Sequence, residues 1–139
     1  MNKKRIYVAA PWIARAEAKE FANVLHEIGY EITMNWWDYE SEARGLEKDT
    51  ENYAKFLHMC ATKDLRGVRT ADAVVLMNSS KSEGKAVEQG IAIALGIPII
   101  AIGKLGEHSQ NVFHYLPLYH WVANQKDALY KLKEVLGGV

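Results

Sequence analysis

The stretch AVVLMNSSKSEGKAVEQGIAIAL, residues 73–95, decides the fold of this chain. Its first five residues form an unbroken apolar run of strand length, and the polar, glycine-containing segment 78–84 that follows is typical of a loop. Residues 86–95 then have the composition and spacing of a helix. An apolar run without alternation indicates a strand covered on both faces, as in a parallel sheet. The stretch therefore predicts one strand–loop–helix unit of an α/β protein.

The rest of the chain alternates strands and helices in the same way. We predict strands over residues 6–10, 30–34, 73–77, 99–102 and 119–122. Helices are predicted over residues 14–28, about 50–70, 86–95 and 125–136, with Gly29 ending the first and Asn124 capping the last. Segments 35–48 and 103–118 are expected to be irregular. This order predicts a three-layer α/β, flavodoxin-like fold whose five-stranded parallel sheet has the order 2-1-3-4-5.

The composition fits one globular domain over residues 1–139. Hydrophobic residues make up 49% of the chain and charged residues 24%, which excludes a disordered protein. Seventeen basic side chains balance seventeen acidic ones, so no electrostatic footprint for polymeric nucleic acid or a membrane surface is expected. Cys60 is the only cysteine, which suits a reducing compartment, and the apolar segment 6–13 is too short to span a membrane. We therefore expect a cytoplasmic protein.

The predicted topology implies a pocket at one edge of the sheet. In sheets of this order, ligands bind beyond the carboxyl ends of the strands, at the switch point between strands one and three. We therefore expect Tyr7, Trp12, Ser82, Gly84 and Glu88 to lie in one pocket.

Glu88 is the most informative side chain of that pocket. It shares a predicted helical face with Ile91, Ala92 and Leu95, and a carboxylate on a face that favours burial is costly unless something compensates it. With an ordinary pKa of about 4.3 it is ionised at neutral pH, and hence a competent nucleophile toward a sugar carbon. An exposed glutamate stabilised only by the helix dipole explains the position equally well.

Other candidate residues have a structural explanation beside a functional one. Asp64, near the end of the predicted helix before strand three, is better explained as a partner in a surface ion pair than as a second acid. Tyr7 has the position of a core tyrosine. The rings of Trp36 and Trp37 either stack a planar base or cover the sheet edge. Ser82 and Gly84 open a helix, where backbone N–H groups bind phosphate or carboxylate, and Ser82 also fits an ordinary N-cap.

The histidines and the cysteine do not indicate a metal site. The spacing of His58, His108, His114 and His120 with Cys60 matches no zinc pattern. Solvated or helix-capping histidines are the expected alternative.

Four segments of the chain together form an ordered set of motifs. They are Ile6-Tyr7-Val8-Ala9-Ala10-Pro11-Trp12, Asp64-Leu65-Arg66-Gly67-Val68 with Ala71-Asp72, Gly84-Lys85-Ala86-Val87-Glu88-Gln89-Gly90, and Asn111-Val112-Phe113. In this order they resemble the nucleoside 2-deoxyribosyltransferase family, which includes the nucleoside 5′-monophosphate N-glycosidases. The resemblance covers roughly residues 5–122.

The resemblance implies a role for each matched residue. Glu88 matches the nucleophile that forms a covalent glycosyl–enzyme intermediate, Asp64 the acid that contacts the base and handles its proton, and Tyr7 the tyrosine that holds the nucleophile. Asn111 and Phe113 match a segment that reaches into the neighbouring subunit's pocket. The resemblance thus implies a retaining enzyme, without a cofactor, that cleaves the N-glycosidic bond of a nucleoside or nucleotide and transfers the sugar to another base. The all-round apolar helix predicted over 86–95 needs a partner surface, so we expect at least a homodimer.

One position departs from the transferase pattern. Six residues before the matched nucleophile, similar deoxyribosyltransferases often carry an aspartate, whereas this chain has Ser82. A serine resembles the monophosphate hydrolases, because an aspartate would repel a 5′-phosphate that a serine at a helix N-terminus accepts. Segment 7–12, however, lacks the Ser-x-Arg loop typical of those hydrolases. Transfer between bases is therefore preferred, and hydrolysis of a (deoxy)nucleoside 5′-monophosphate is the alternative.

There are two rival interpretations, one from another class of protein and one enzymatic. A non-catalytic nucleotide-binding or sensing domain is disfavoured by Glu88, Asp64 and Tyr7, because a binder gains nothing from an unpaired carboxylate under its ligand. Cleavage of NAD by a related flavodoxin-like domain is disfavoured by the segment that contains Asn111.

Overall fold

A computed structural model describes residues 2–108 and 110–137 of the chain. Its centre is a five-stranded sheet in which every neighbouring pair of strands is parallel. The strands are β1 (Arg5–Ala9), β2 (Glu31–Ile32), β3 (Ala73–Met77), β4 (Ile99–Ile102) and β5 (Tyr119–Val122). Their order is β2-β1-β3-β4-β5, which confirms the predicted α/β, flavodoxin-like topology.

The middle of the sheet forms the core of the molecule. All five residues of β3 are buried, as the unbroken apolar run predicts for a strand covered on both faces. On β1, residues 6–9 are fully buried, and Tyr7 pairs in register with Val74 of β3. The carboxyl ends of β1 and β3 are therefore neighbours at one edge of the sheet.

Five helices accompany the sheet among the described residues. They are α1 (Arg15–Ile28), α2 (Tyr39–Glu42), α3 (Glu51–Arg69), α4 (Glu83–Leu95) and α5 (Gln125–Leu136). Helix α1 packs against β1 and β2, α5 packs against β3, β4 and β5, and α3 packs against α4. Three short 3-10 segments, Trp12–Ala14, Trp36–Asp38 and Val112–Tyr115, lie in the connections.

Two predicted helix ends, one at a glycine and one at a capping side chain, are confirmed. Gly29 ends α1 with φ 120°, a conformation that glycine adopts without strain. The side-chain oxygen of Asn124 accepts a hydrogen bond of 2.9 Å from the backbone N–H of Asp127 and so caps α5. None of the helices in the described part of the chain is long and apolar enough to cross a membrane.

Three predicted boundaries are wrong. Strand β2 has only two residues instead of five, because the chain leaves the sheet edge after it and turns Trp36 back onto β1. The segment 35–48 is not wholly irregular, since it contains α2. Helix α4 begins at Glu83 rather than at residue 86, because Ser82 caps it.

Candidate active site

The side chains of Tyr7 and Glu88 meet where β1 ends beside α4. Tyr7 is fully buried, and its hydroxyl donates a hydrogen bond to Oε2 of Glu88. Burial raises the pKa of Tyr7, and the negative charge of Glu88 raises it further, so the phenol keeps its proton and remains a donor.

The Glu88 carboxyl group is half-buried and titrates near neutrality. Burial raises its pKa from 4.5 to about 7, and the nearby charge of Asp64 also raises it. The hydrogen bond from Tyr7 and the positive charge of Lys85 act in the opposite direction. Glu88 is therefore divided between its ionised and protonated forms at neutral pH.

Asp64 lies on α3 and is hydrogen-bonded to a tyrosine from α2. The Tyr39 hydroxyl donates to Oδ1 of Asp64 over 2.7 Å. Burial raises the pKa of Asp64, while this hydrogen bond lowers it. The surface ion pair expected for Asp64 is wrong, because no basic side chain of the described residues pairs with it.

Glu88 and Asp64 line the same cavity, which we call the Glu88 cavity. It has a volume of about 160 Å³ and is lined by Ala10, Trp12, Trp36, Tyr39, Asp64, Ser82, Gly84, Lys85 and Glu88. An apolar depression of about 390 Å³, the α3–α4 groove, adjoins it and is lined by Ala61, Asp64, Leu65, Gly84, Val87, Glu88 and Ile91. Of the residues expected in one pocket, Trp12, Ser82, Gly84 and Glu88 line the cavity, and Tyr7 lies behind Glu88.

Two tryptophans form the aromatic wall of the Glu88 cavity. Trp36 is buried, and its indole N–H donates to the carbonyl oxygen of Val8 over 2.7 Å. Trp12 is 45% exposed, and its ring lies 6.1 Å from that of Trp36 at an angle of 41°. The Arg15 guanidinium stacks 4.7 Å from the centre of the Trp12 ring. In this wall, Trp36 is therefore held in place by its hydrogen bond, whereas the Trp12 ring is accessible.

The N-terminus of α4 opens on the same cavity. Ser82 Oγ accepts a hydrogen bond of 3.2 Å from the backbone N–H of Lys85, which confirms the N-cap interpretation. The first backbone N–H groups of a helix have no acceptor within the helix. Because Gly84 carries no side chain, its backbone stays open to the cavity.

Asn111 and Phe113 do not line the Glu88 cavity of their own chain. Asn111 lines a separate cavity of about 320 Å³, together with Ser82 and Lys85. Phe113 is 57% exposed and lies over a depression beside α4 that also contains Ile93. Within a single chain, the Glu88 cavity is thus formed without these two residues.

Sequence reasoning missed three residues around the site. Tyr39 gave no signal, since it stands in the segment expected to be irregular. Lys85 stands in the motif 84–90, which predicts no role for it, and its 4% exposure is unusual for a lysine. His114 is also only 4% exposed, so the expectation that it is solvated is wrong. No group of three described His, Cys, Asp or Glu side chains is arranged to hold a metal ion.

Comparison with known proteins places this site in a family. A model of the family described as nucleoside 2-deoxyribosyltransferase matches residues 6–115. The chain belongs to that family. Its members are glycosyl-transferring enzymes that act on nucleosides and nucleobases. The match contains β1 to β4 with the whole Glu88 cavity.

Solved structures with this fold include a named member of the family. A 2-deoxyribosyltransferase from the psychrotolerant bacterium Bacillus psychrosaccharolyticus superimposes with a TM-score of 0.64, at 20% identity over 88% of each chain. A conserved protein from Enterococcus faecalis V583 has the same TM-score and identity, and the alignment covers 96% of this chain and 99% of that one. At this identity the likeness shows the fold alone. Among curated proteins, none matches the chain.

Proposed function

We propose that this member of the family cleaves the N-glycosidic bond of a (deoxy)nucleoside through a covalent intermediate on Glu88 and transfers the sugar to a second base. One observation carries the proposal: the half-buried Glu88 carboxylate, held by Tyr7, lines one cavity with Asp64. Retaining glycosidic chemistry needs such a pair, with an ionised carboxylate near the sugar and a proton-carrying group near the leaving group.

The first half of the reaction forms the glycosyl–enzyme bond. A carboxylate oxygen of Glu88 bonds to the anomeric carbon, and the electron pair of the breaking C–N bond leaves with the base. The base takes its proton from Asp64, whose raised pKa makes the protonated form more accessible. The Tyr7 hydroxyl keeps the attacking oxygen in place through its hydrogen bond.

The second half reverses these steps with another base. A nitrogen of the incoming base attacks the anomeric carbon, Glu88 departs as a carboxylate, and the surplus proton of the new base returns to Asp64. Two displacements at one carbon retain its configuration. Trp12 and Trp36 offer aromatic faces on which either base can stack, and Ser82 with Gly84 is assigned to the 5′ end of the sugar. No step requires a cofactor.

A second candidate function is hydrolysis of the N-glycosidic bond of a (deoxy)nucleoside 5′-monophosphate, in which water takes the place of the incoming base. It is favoured by the cavity of about 320 Å³ beside the helix N-terminus, which is lined by Ser82 and Lys81 among others. A helix N-terminus with a serine hydroxyl and an ammonium group suits a phosphate. A sensing domain without turnover is the third interpretation, and it leaves the two carboxyl groups unexplained.

We infer that a second copy of the chain completes the site. The Glu88 cavity alone, at about 160 Å³, is smaller than the roughly 300–1,000 Å³ typical of ligand pockets. Helix α4 also exposes Val87 and Leu95, at 64% and 53%, next to the apolar α3–α4 groove. Asn111 and Phe113 do not line the cavity of their own chain, and Phe113 is exposed for contact with a partner. A homodimer, or a higher homo-oligomer, would bring these surfaces together.

Product analysis separates the three functions. The protein is incubated with deoxynucleosides and with their 5′-monophosphates, each with and without a second free base. A nucleoside that contains the second base means transfer, whereas free base with deoxyribose 5-phosphate means hydrolysis. Absence of both products across substrates would favour the sensing domain.

Replacement of the nucleophile tests the covalent mechanism. Glu88→Gln should lower kcat at least about 10³-fold, because an amide cannot form the glycosyl ester. Mass spectrometry of the acid-quenched wild-type protein should find a sugar adduct on the peptide that contains residue 88, and the variant should lack it. Glu17→Gln, an exposed glutamate in the first turn of α1, is the matched control and should behave as wild type. Near-wild-type turnover of Glu88→Gln would rule out the mechanism.

A further inference from the structure

Lys85 is a buried cation at the base of the Glu88 cavity. Its side chain is 4% exposed, although it stands in the first turn of α4, where a lysine can easily reach solvent. The first turn of a helix is also the end at which the dipole disfavours a positive charge. Burial of an ammonium group costs several kcal/mol unless its surroundings compensate it. Two unfavourable features at one residue call for a compensating role.

The hydrogen-bond partners of Lys85 are neutral. Its Nζ donates to Oδ1 of Asn78 over 3.0 Å and to the carbonyl oxygen of Ser80. Asn78 directly follows β3 and is joined to β4 by its backbone N–H, which donates to the carbonyl oxygen of Ile102. Lys85 therefore fastens the loop 78–82 to the helix that carries Glu88. Within the described part of the chain, no carboxylate forms an ion pair with it.

The charged groups around Lys85 are mostly negative. Glu88 stands three residues along the same helix and lies on the same face. Asp64 on α3 lines the same cavity. His114, from the 3-10 segment 112–115, is buried beside Lys85, and burial together with the positive charge of Lys85 lowers its pKa, so its ring is neutral at neutral pH. The remaining charged groups, Lys81 and Glu83, are exposed at the loop, and Tyr7 lies beyond Glu88.

We propose that Lys85 is a positioning residue of the Glu88 site: its charge offsets that of the carboxylate while its two hydrogen bonds hold the loop that ends in Ser82, a residue of the cavity wall. The inference rests on the proposed function, in which Glu88 must be ionised. It explains why the ammonium group is buried without an ion pair, since its electrostatic partner is the carboxylate one turn away. It also explains why its anchors come from the loop that contains the N-cap of α4.

The titration of the two groups supplies a sharp readout. Burial lowers the pKa of Lys85 to about 8, although the negative charge of Glu88 acts to raise it. Burial raises the pKa of Glu88 to about 7, although the positive charge of Lys85 acts to lower it. Both groups are charged mainly between these two values. Loss of the Lys85 proton would weaken the charged hydrogen bonds that hold the loop to α4, so we expect kcat/KM on a deoxynucleoside to rise as the pH passes about 7 and to fall above about 8.

Two substitutions should move the two limbs differently. Lys85→Met has similar length and no charge, so the alkaline limb should disappear and the acid limb should move to higher pH. A rise of about one in the pKa of Glu88 would lower its ionised fraction at pH 7 about fivefold. Lys85→Arg keeps its charge to higher pH, so its alkaline limb should move upward while the acid limb stays. Lys126→Met, an exposed lysine in the first turn of α5, should keep the wild-type profile.

A measurement without turnover keeps this inference separate from the proposed function. NMR of the protein labelled with 13C at the glutamate carboxyl groups follows the titration of Glu88 directly, with Glu88→Gln to assign its signal. A higher midpoint in Lys85→Met supports the role of Lys85 even if no substrate reacts, which would defeat only the proposed function. An unchanged midpoint overturns the inference, whatever the activity. If Lys85→Met does not fold, an unmoved alkaline limb in Lys85→Arg overturns it instead.

Discussion

Folding disfavours the ionised form of the Glu88 carboxyl group, which is the form that the proposed reaction needs. Its pKa rises from 4.5 to about 7 mainly because burial destabilises the ionised form. Nucleophilic attack requires that ionised form. Tyr7 and Lys85 both recover part of the loss, one by a hydrogen bond and the other by its charge. The site thus keeps a reactive carboxylate at the expense of stability.

Glu88→Gln should therefore stabilise the protein in a pH-dependent manner. Because the folded-state pKa lies above the ordinary value, the wild-type protein loses stability as the pH rises from about 4.5 to about 7. An amide does not titrate, so the gain in Tm of the variant over wild type should be larger at pH 8 than at pH 5. Thermal unfolding at the two pH values measures this difference. Equal differences in Tm would mean that Glu88 titrates as an exposed glutamate.

Individual contacts of the site were only partly predictable from sequence. The spacing placed Glu88 on a helix at a switch point but left open whether it faces solvent or a ligand. The contact of Tyr39 with Asp64 joins α2 to α3 across 25 residues, and no local pattern encodes it. Lys85 was overlooked because lysines are ordinarily exposed, whereas this one is retained inside by oxygen atoms of a loop.

At the scale of the elements, Gly67 of helix α3 lies close against the ring of Tyr7 from β1 and against Met34. A methyl group added at Gly67 would lie 3.0 Å from Cβ of Met34 and 3.0 Å from Cδ2 of Tyr7. Such distances are tighter than most contacts of a Cβ atom, so a side chain at position 67 requires its neighbours to shift. The approach also holds the ring of Tyr7, whose hydroxyl contacts Glu88. A glycine outside the cavity therefore helps to set the geometry of the cavity.

Gly67→Ala should reduce both stability and turnover. The methyl group must displace the Tyr7 ring by a few tenths of an ångström, and overpacking of this kind costs about 1–3 kcal/mol. Since the Tyr7 hydroxyl would then hold Glu88 less well, we expect kcat to fall about tenfold with little change in KM. Thermal unfolding and steady-state kinetics measure the two effects. If the variant is destabilised but its kinetics are unaltered, the packing at Gly67 does not influence the geometry of the site.

The elements were predicted well where their signals are local. The apolar runs of β3 and β4, the stop at Gly29 and the cap at Asn124 each act within a few residues. Strand β2 was predicted too long and helix α2 was missed, because tertiary contacts decide both. The chain turns there so that the buried Trp36 can donate to the carbonyl oxygen of Val8 and Tyr39 can reach Asp64.

At the scale of the whole molecule, the proposed reaction needs more than the site of one chain. Asn111 uses its own side-chain oxygen to accept a hydrogen bond from the backbone N–H of Phe113. This cap fixes the segment 112–115, whose residues Val112, Phe113 and Tyr115 are exposed, in a shape that a second copy can meet. Because the α3–α4 groove adjoins Glu88, a partner seated there would be close to the site.

Mixed oligomers test this sharing of the site. Asn111→Asp keeps the capping oxygen but replaces the amide with a charge, so it should be inactive by itself, as should Glu88→Gln. If each site combines Glu88 of one copy with Asn111 of another, co-expression of the two variants should restore about a quarter of the wild-type activity in a dimer. Co-expression of Glu88→Gln with Asp64→Asn is the control and should restore nothing, because both residues line the cavity of one chain. No recovery in the first mixture would exclude a shared site.

The strand order has a consequence for the way in which the chain reaches its native state. No two strands that follow each other are joined by a hairpin, and β1 pairs with β3, whose residues lie 67 positions further along. The ladder between β1 and β3 therefore forms only after a long loop has closed. Such a long-range ladder slows folding and leaves the β3 side of the apolar β1 unpaired until β3 has emerged.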